Sequence, residues 1–116
     1  MTSDREYGDY LADMKQAASD AREFVHSLEF DEFLLDRRTQ LAVVKCLEIL
    51  GEAAKKIPVD MRSRYPDFPW GEAAGMRDKL VHEYFGVDLR VVWRTVHEDL
   101  PPLESQVDAI LRQECG

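Results

Sequence analysis

The chain has 116 residues, of which 45% are hydrophobic and 33% charged, and this composition is typical of one folded domain rather than a disordered segment. Its formal net charge of −8 excludes a uniformly basic nucleic-acid-binding surface. No apolar run approaches the roughly 20 residues that span a bilayer, and the acidic N-terminus lacks the layout of a signal peptide, so one cytoplasmic domain over residues 1–116 is expected.

Apolar residues at helical spacing predict two long helices in the first half of the chain. The first is expected at about 4–28, after a capping-box pattern formed by Ser3 and Glu6. A connector with one short helical turn follows, and the second long helix is expected at about 37–56. The apolar face of this second helix is predicted to contain Leu41, Val44, Leu47, Leu50 and Ala54.

The third predicted helix follows the proline-rich stretch IPVDMRSRYPDFPW, which is typical of a short helical turn and a loop. Pro69 can occupy the first turn of a helix, where its missing N–H costs nothing. This helix is therefore expected at about 69–85, and Gly86 is expected to end it.

A fourth helix is expected to begin at Leu89, with Asp88 as its N-terminal cap. Pro101 and Pro102 should break or kink it, and helical spacing then resumes in the tail. No stretch alternates with period two for long enough to form a strand. The predicted fold is all-α, an up-and-down bundle of four to five helices.

The cysteines and histidines do not suggest a metal site. Cys46 lies in an apolar stretch and is expected to be half-buried, whereas Cys115 is the penultimate residue. No CxxC or Cys/His spacing is present, and the three histidines are far apart in sequence. We therefore expect no zinc and no disulfide.

Charge is distributed unevenly along the chain. Residues 1–54 have a net charge of −6, residues 55–94 of +2 and residues 95–116 of −4. The asymmetry arises by chance or marks a local surface that accepts phosphate.

The stretch MRDKLVHEYFGVD at 76–88 combines an arginine, a histidine and a tyrosine within eight positions. Histidine exchanges a proton near neutral pH and arginine binds phosphate oxygens as a fork, so together they could act on a phosphodiester without a metal. On one regular helix Arg77 and Tyr84 share a face, whereas His82 is turned from Arg77 by roughly 140°. Arg77 and His82 therefore converge only at an irregular helix start or where two copies meet. Packing or surface roles remain open for all three residues.

This stretch resembles the HepT-like branch of the HEPN ribonuclease toxins, because R-D-K-L-V-H-E-Y at 77–84 fits that family's R-x4-H-x-Y motif. The segments LEILGEAAKKIP, RYPDFPWGEAAGMRDKLVHEYFGVD and VVWRTVHEDLPPL are also similar to the family's segments, in the same order. The resemblance covers nearly the whole chain and is most specific over 47–102.

The resemblance implies a HEPN-like fold, a homodimer and a metal-independent endoribonuclease whose active site is shared between two protomers. His82 would take part in proton transfer as a ribose 2′-hydroxyl attacks the adjacent phosphate, and Arg77 would orient that phosphate. Asp78 matches the polar residue that helps to position these groups. A shared site would also resolve the angular conflict between Arg77 and His82.

The resemblance further implies a toxin–antitoxin pair. A minimal nucleotidyltransferase antitoxin would transfer AMP from ATP to Tyr84, and the added bulk and negative charge would obstruct RNA. The antitoxin would use the ATP, so no cofactor is expected for this chain.

Two further groups of charged residues are candidates for a role near the site. Glu48 and Glu52 share a face of the second helix and form either a solvated pair beside Lys55 and Lys56, or a supporting element near the site or dimer interface. RNA contact by an acidic protein should depend on local basic residues, with Lys79 the candidate inside the motif. The full basic set is Lys55, Lys56, Arg62, Arg64, Lys79, Arg90 and Arg94.

Two other functions fit the same residues. The chain could be a non-catalytic helical binding subunit of a nucleotidyltransferase complex, in which the motif is a docking or modification site. It could also be an RNA-binding or structural helical dimer without chemistry. Cleavage of RNA by the purified protein and AMP transfer to Tyr84 distinguish these functions.

Overall fold

The computed structural model of the chain describes residues 7–76, 78 and 86–115. These residues are mostly helical and contain no strand, which confirms the predicted all-α fold. None of their helices is long and apolar enough to cross a membrane. The helical segments are α1 (Tyr7–Val25), α2 (Phe30–Leu35), α3 (Arg37–Lys55), α4 (Val59–Arg64), α5 (Trp70–Ala74), α6 (Leu89–Arg94), a π-helical turn (Thr95–Asp99) and α7 (Leu100–Cys115).

Helix α1 packs against both α3 and α7, and these helices supply most of the core. Its inward stripe follows the 3.6-residue period of a helix. The stripe consists of Leu11, Met14, Ala17, Ala18, Ala21 and Val25. The helix ends at Val25 rather than near residue 28, because the backbone N–H groups of His26 and Leu28 each donate to a carbonyl only three residues back. The predicted caps Ser3 and Glu6 lie outside the described residues.

Helix α3 begins at Arg37, as predicted. Asp36 caps it by accepting hydrogen bonds from the backbone N–H and the hydroxyl of Thr39, and these bonds hold the pKa of Asp36 below its usual value. The predicted inward position of Leu41 is wrong, since this side chain is 56% exposed. The buried stripe starts at Val43, which follows Leu41 by two residues, roughly 200° around the helix.

Helix α6, the π-helical turn and α7 form one continuous helical run from Leu89 to Cys115. Of the two predicted outcomes, a break at Pro101 and Pro102 is therefore wrong, whereas a kink stays a prediction. A proline has no N–H to donate, and its ring crowds the carbonyl four residues earlier. The wider π-helical turn, in which the N–H of Leu100 donates to the carbonyl of Thr95, accommodates the prolines at the start of α7.

Two ion pairs connect α7 to α1. The ammonium group of Lys15 lies 2.7 Å from a carboxylate oxygen of Asp108. The guanidinium group of Arg22 lies at the same distance from Glu104. These pairs flank the buried stripe of α7, which comprises Leu100, Leu103, Val107 and Ile110.

Candidate active site

Most of the predicted motif lies outside the described residues. Arg77, Lys79, His82 and Tyr84 belong to this part of the chain, so their predicted roles stay predictions. Asp78 is described, and it is helical and exposed to solvent. The structure therefore defines the candidate site through the two segments that flank it.

The upstream flank is anchored in the core by Trp70 at the start of α5. Its indole N–H donates to the carbonyl of Tyr65 at 2.9 Å, and its ring lies 4.4 Å from that of Phe68 between centroids. Ala73 and Met76, on the same side of the segment, are also buried. The chain thus enters the motif from a fixed position in the bundle.

The helix predicted at 69–85 is interrupted in its described part. Helix α5 ends at Ala74, and Gly75 forms a turn before Met76 resumes helical structure. A Cβ atom at Gly75 would lie 3.3 Å from the carbonyl oxygen of Gly71, closer than most side chains tolerate. The helix is therefore irregular two residues before Arg77. Convergence of Arg77 and His82 stays a prediction, because both lie outside the described residues.

The downstream flank consists of a glycine turn and a capped helix. Gly86 has a φ of 94°, a left-handed conformation that favours glycine. The side chain of Asp88 accepts hydrogen bonds from the backbone N–H groups of Arg90 and Val91, which confirms the predicted cap of the fourth helix. The residues between Met76 and Gly86 are thus bounded by structured elements on both sides.

A groove of about 400 Å³ lies beside Gly75 and Met76, between α5 and the start of α7. Its lining includes Glu72 and Glu98, so its electrostatics disfavour a phosphate group. The sequence analysis did not identify this groove. The segment VVWRTVHEDLPPL, which resembles family segments, contributes Glu98 to this groove. Its sequence does not indicate that it faces α5.

Glu48 and Glu52 share a face of α3, as predicted, and line a groove of about 510 Å³ beside α1. Glu52 lies 3.7 Å from Lys55, and both side chains are well exposed. Glu52 thus lies beside Lys55, as the solvated arrangement of Glu48 and Glu52 requires. A role of Glu48 or Glu52 near the active site or at a dimer interface stays a prediction.

The part of the chain that the structure describes contains no group of three or more His, Cys, Asp or Glu side chains able to hold a metal ion. Cys46 is only 7% exposed, more buried than expected from the sequence. Burial, and secondarily the charge of Asp20, raises the pKa of this thiol to about 11. A thiol in this environment is a poor nucleophile at neutral pH.

The all-α bundle and its flanked R-x4-H-x-Y segment define a HEPN-like helical protein. The sequence model of the family described as Ribonuclease HepT-like matches residues 14–110, a range that includes the whole motif and both flanks. The chain belongs to this family.

Named relatives agree with this assignment over nearly their full length. A protein of Thermococcus cleftensis named as a probable ribonuclease HepT is 48% identical over 106 residues, which cover 91% of this chain and 96% of the relative. A protein of Caldanaerobacter subterraneus subsp. tengcongensis is 44% identical (90% and 94% covered), and one of Methanocaldococcus jannaschii is 42% identical (92% and 88% covered); both are provisionally named RNases. No solved structure matches the chain significantly. The predicted enzyme class, a ribonuclease, is thus confirmed at the level of the family.

Proposed function

We propose that the chain is the toxin of a cytoplasmic toxin–antitoxin pair and acts as a metal-independent endoribonuclease. Arg77 and His82 are its catalytic residues and Asp78 positions them. The observation that carries the proposal is the family match over residues 14–110, which spans the motif. The solvent-exposed position of Asp78 supports it, since a site for RNA must be accessible.

The proposed reaction is an internal transesterification. His82 accepts the proton of a ribose 2′-hydroxyl, and the 2′-oxygen forms a bond to the adjacent phosphorus. The bond from phosphorus to the 5′-oxygen breaks, and that oxygen takes a proton as it leaves. Arg77 stabilises the negative charge that develops on the phosphate. The products are a 2′,3′-cyclic phosphate and a 5′-hydroxyl, and the chain needs no cofactor.

A homodimer is part of the proposal. Arg77 and His82 are roughly 140° apart on one regular helix, so a second copy would complete the site. The turn at Gly75 precedes both residues and therefore does not change the angle between them.

Tyr84 is the proposed point of inactivation. A minimal nucleotidyltransferase antitoxin would transfer AMP from ATP to the Tyr84 hydroxyl, forming an oxygen–phosphorus bond as pyrophosphate leaves. The new phosphodiester places negative charge beside the residues that bind RNA phosphate, so substrate is repelled.

Cleavage of RNA by the purified protein tests the catalytic assignment. We expect cleavage to persist in EDTA and to leave cyclic phosphate ends. His82→Ala should lower the rate by about 10²- to 10⁴-fold, the usual contribution of one proton-transfer group. Arg77→Ala should lower it by about 10²- to 10³-fold, the usual contribution of one group that stabilises developing negative charge. Arg112→Ala removes an exposed charge near the C-terminus and serves as the control. Folded Arg77→Ala and His82→Ala proteins that cleave at the wild-type rate would contradict the proposal.

Intact mass after incubation with the nucleotidyltransferase and ATP tests the inactivation. We expect an AMP increment on the wild-type chain, none on Tyr84→Phe, and loss of RNA cleavage by the modified protein. A protein that accepts AMP on Tyr84 but never cleaves RNA would instead be a non-catalytic binding subunit.

A further inference from the structure

An acidic ribonuclease needs a local basic surface, and the sequence leaves several candidates for it. Residues 55–94 are the only part of the chain with a net positive charge. Cations that already bind other groups of the protein are less available to RNA than cations without partners. Side-chain contacts therefore separate most of the candidates. Lys56 is exposed as well, but it lines the same groove as Glu48 and Glu52.

Three of the basic side chains are occupied within the fold. The guanidinium group of Arg62 donates to three backbone carbonyls at and after the end of α3, at 3.0, 3.2 and 3.4 Å. Arg64 lies 3.3 Å from Glu114. Lys55 lies 3.7 Å from Glu52. These contacts give each cation a structural partner.

Arg90 and Arg94 differ from these cations. Both are exposed, and neither forms a side-chain hydrogen bond or an ion pair with the described residues. They are four residues apart on α6, so they share one face and are separated by roughly 6 Å along the axis. Two guanidinium groups on one helical face form a geometry suited to successive phosphates of a nucleic acid strand.

Helix α6 is held firmly enough to present this pair. Val92 is fully buried. The ring of Trp93 lies 5.2 Å from that of Phe33 and 5.6 Å from that of Phe30, between centroids. The opposite face of the helix is thus anchored in the bundle while the arginines point outward.

The pair is also close to the motif along the chain. Arg90 follows Tyr84 by six residues, and a chain extends at most about 3.6 Å per residue, so their Cα atoms are within about 22 Å. The groove on the other side, beside Met76, is lined by Glu72 and Glu98 and disfavours phosphate. Of these two surfaces, the face of α6 is the one whose charge favours an RNA phosphate.

We infer that Arg90 and Arg94 bind phosphates of the RNA strand next to the scissile one, outside the R-x4-H-x-Y motif. The inference rests on the proposed ribonuclease function and names the surface that holds its substrate. Such contacts position the strand and do not read its sequence.

Binding of a fluorescent single-stranded RNA by full-length protein carrying His82→Ala, which prevents cleavage during titration, tests the inference. Arg90→Gln and Arg94→Gln are added singly and together. For single strands each lost phosphate contact should reduce the slope of log affinity against log salt by about 0.7, so the double variant loses about 1.4. Affinity should fall similarly for RNAs of different sequence.

Arg112→Gln is the matched control. Its side chain is 79% exposed and lies at the other end of the same helical run, roughly 30 Å from Arg90. Arg112→Gln changes the net charge by the same amount as Arg90→Gln or Arg94→Gln. The slope of log affinity against log salt should nevertheless stay that of the parent. Arg90→Lys and Arg94→Lys should keep the slope because the positive charge remains. Thermal unfolding midpoints of the Arg90 and Arg94 variants should match that of the parent, whereas Arg112→Gln, which loses an ion pair with Asp108, should lower the midpoint slightly.

Several results would overturn the inference. The double variant could bind RNA with the parent's affinity and slope, or Arg112→Gln could have the same effect as Arg94→Gln. Loss of binding to the nucleotidyltransferase without loss of RNA binding would assign this face to a protein partner instead. In each of these cases the wild-type protein would still cleave RNA. If the proposed function itself were wrong, the wild-type protein would not cleave RNA.

Discussion

The two ends of the helical run from Leu89 to Cys115 differ in how their charged side chains are used. At the C-terminal end, Asp108 and Glu104 accept hydrogen bonds from Lys15 and Arg22 of α1, and the same helix buries a continuous apolar stripe. At the N-terminal end, Arg90 and Arg94 point to solvent without a partner among the described residues. The comparison teaches that one helix stabilises the bundle at one end and offers unpaired cations to a ligand at the other.

The largest expected effect comes from truncating the buried stripe. Leu100 is fully buried where the π-helical turn meets α7, and Leu100→Ala should lower the free energy of unfolding by about 2–5 kcal/mol. Arg94→Gln, at the exposed end, should change it by less than about 0.5 kcal/mol. Urea denaturation measures both. Equal destabilisation by the two variants would remove the distinction between the ends.

Arg62 and Arg90 should differ in what their substitution changes: the free energy of unfolding for Arg62 and the salt dependence of RNA binding for Arg90. Arg62→Met removes the donor to three carbonyls at and after the C-terminal end of α3, and hydrogen bonds of charged groups contribute about 1.5–3 kcal/mol each at most. Since water can replace part of these bonds, we expect a loss of about 1–2 kcal/mol in unfolding free energy. The salt dependence of RNA binding should not change.

Arg90→Met should show the reverse pattern, with normal urea denaturation and a reduced salt slope. A reduced slope in folded Arg62→Met protein would place Arg62 on the RNA surface, as the sequence alone allowed.

Cys46 reports whether the core of the bundle stays closed to solvent. Burial raises the pKa of its thiol from 9.0 to about 11, so the folded protein at neutral pH contains about 100-fold less thiolate than an exposed cysteine. In a Cys115→Ser background, an alkylating reagent should modify Cys46 slowly until the protein is unfolded. Leu100→Ala should accelerate the reaction and Arg94→Gln should not.

The same shift predicts the direction of alkaline destabilisation. The folded state holds the thiol proton more tightly, so its contribution is fully present below pH 9.0 and is lost as the pH rises toward about 11. Cys46→Ala in the same background should lack this component of the loss. Identical pH profiles of the two proteins would contradict the assigned cause.

The sequence predicted the features whose cause is local. The predicted start of α3 at Arg37 is confirmed, and the predicted cap of α6 at Asp88 forms as expected. The burial of Leu41 depended on which apolar face of α3 packs against α1. Periodicity alone does not determine that face. The predicted break at the prolines of α7 does not occur because a π-helical turn, which no residue pattern marks, accommodates them.

The candidate site was predictable in composition and only partly in structure. The motif residues and their flanking glycines are visible in the sequence, and Gly75 and Gly86 both mark turns in the structure. Which basic residues remain for RNA was not predictable. Arg62 and Arg90 look equivalent in sequence, and only their tertiary contacts separate them.

The smallest expected effect concerns the ion pair between Lys15 of α1 and Asp108 of α7. The hydrogen bond from Lys15, with a smaller contribution from Arg112, holds the pKa of Asp108 below its usual value. A carboxyl with a depressed pKa stabilises the fold above its unfolded-state pKa of about 3.8, and this contribution is lost as the pH falls through the lower folded-state value. Asp108→Asn should therefore lower the thermal midpoint slightly at pH 7 and not at the acid end of the profile.

Salt sharpens this last test, because the Asp108 pair is partly open to solvent and screening weakens such pairs. The difference between wild type and Asp108→Asn should shrink in about 1 M salt, where the screening length falls to about 3 Å. Arg90→Gln, which removes an unpaired charge at the other end of the helical run, should show no comparable pH-dependent difference. If both substitutions shifted the midpoint alike at every pH, the two ends would differ in geometry but not in how their charges contribute to folding.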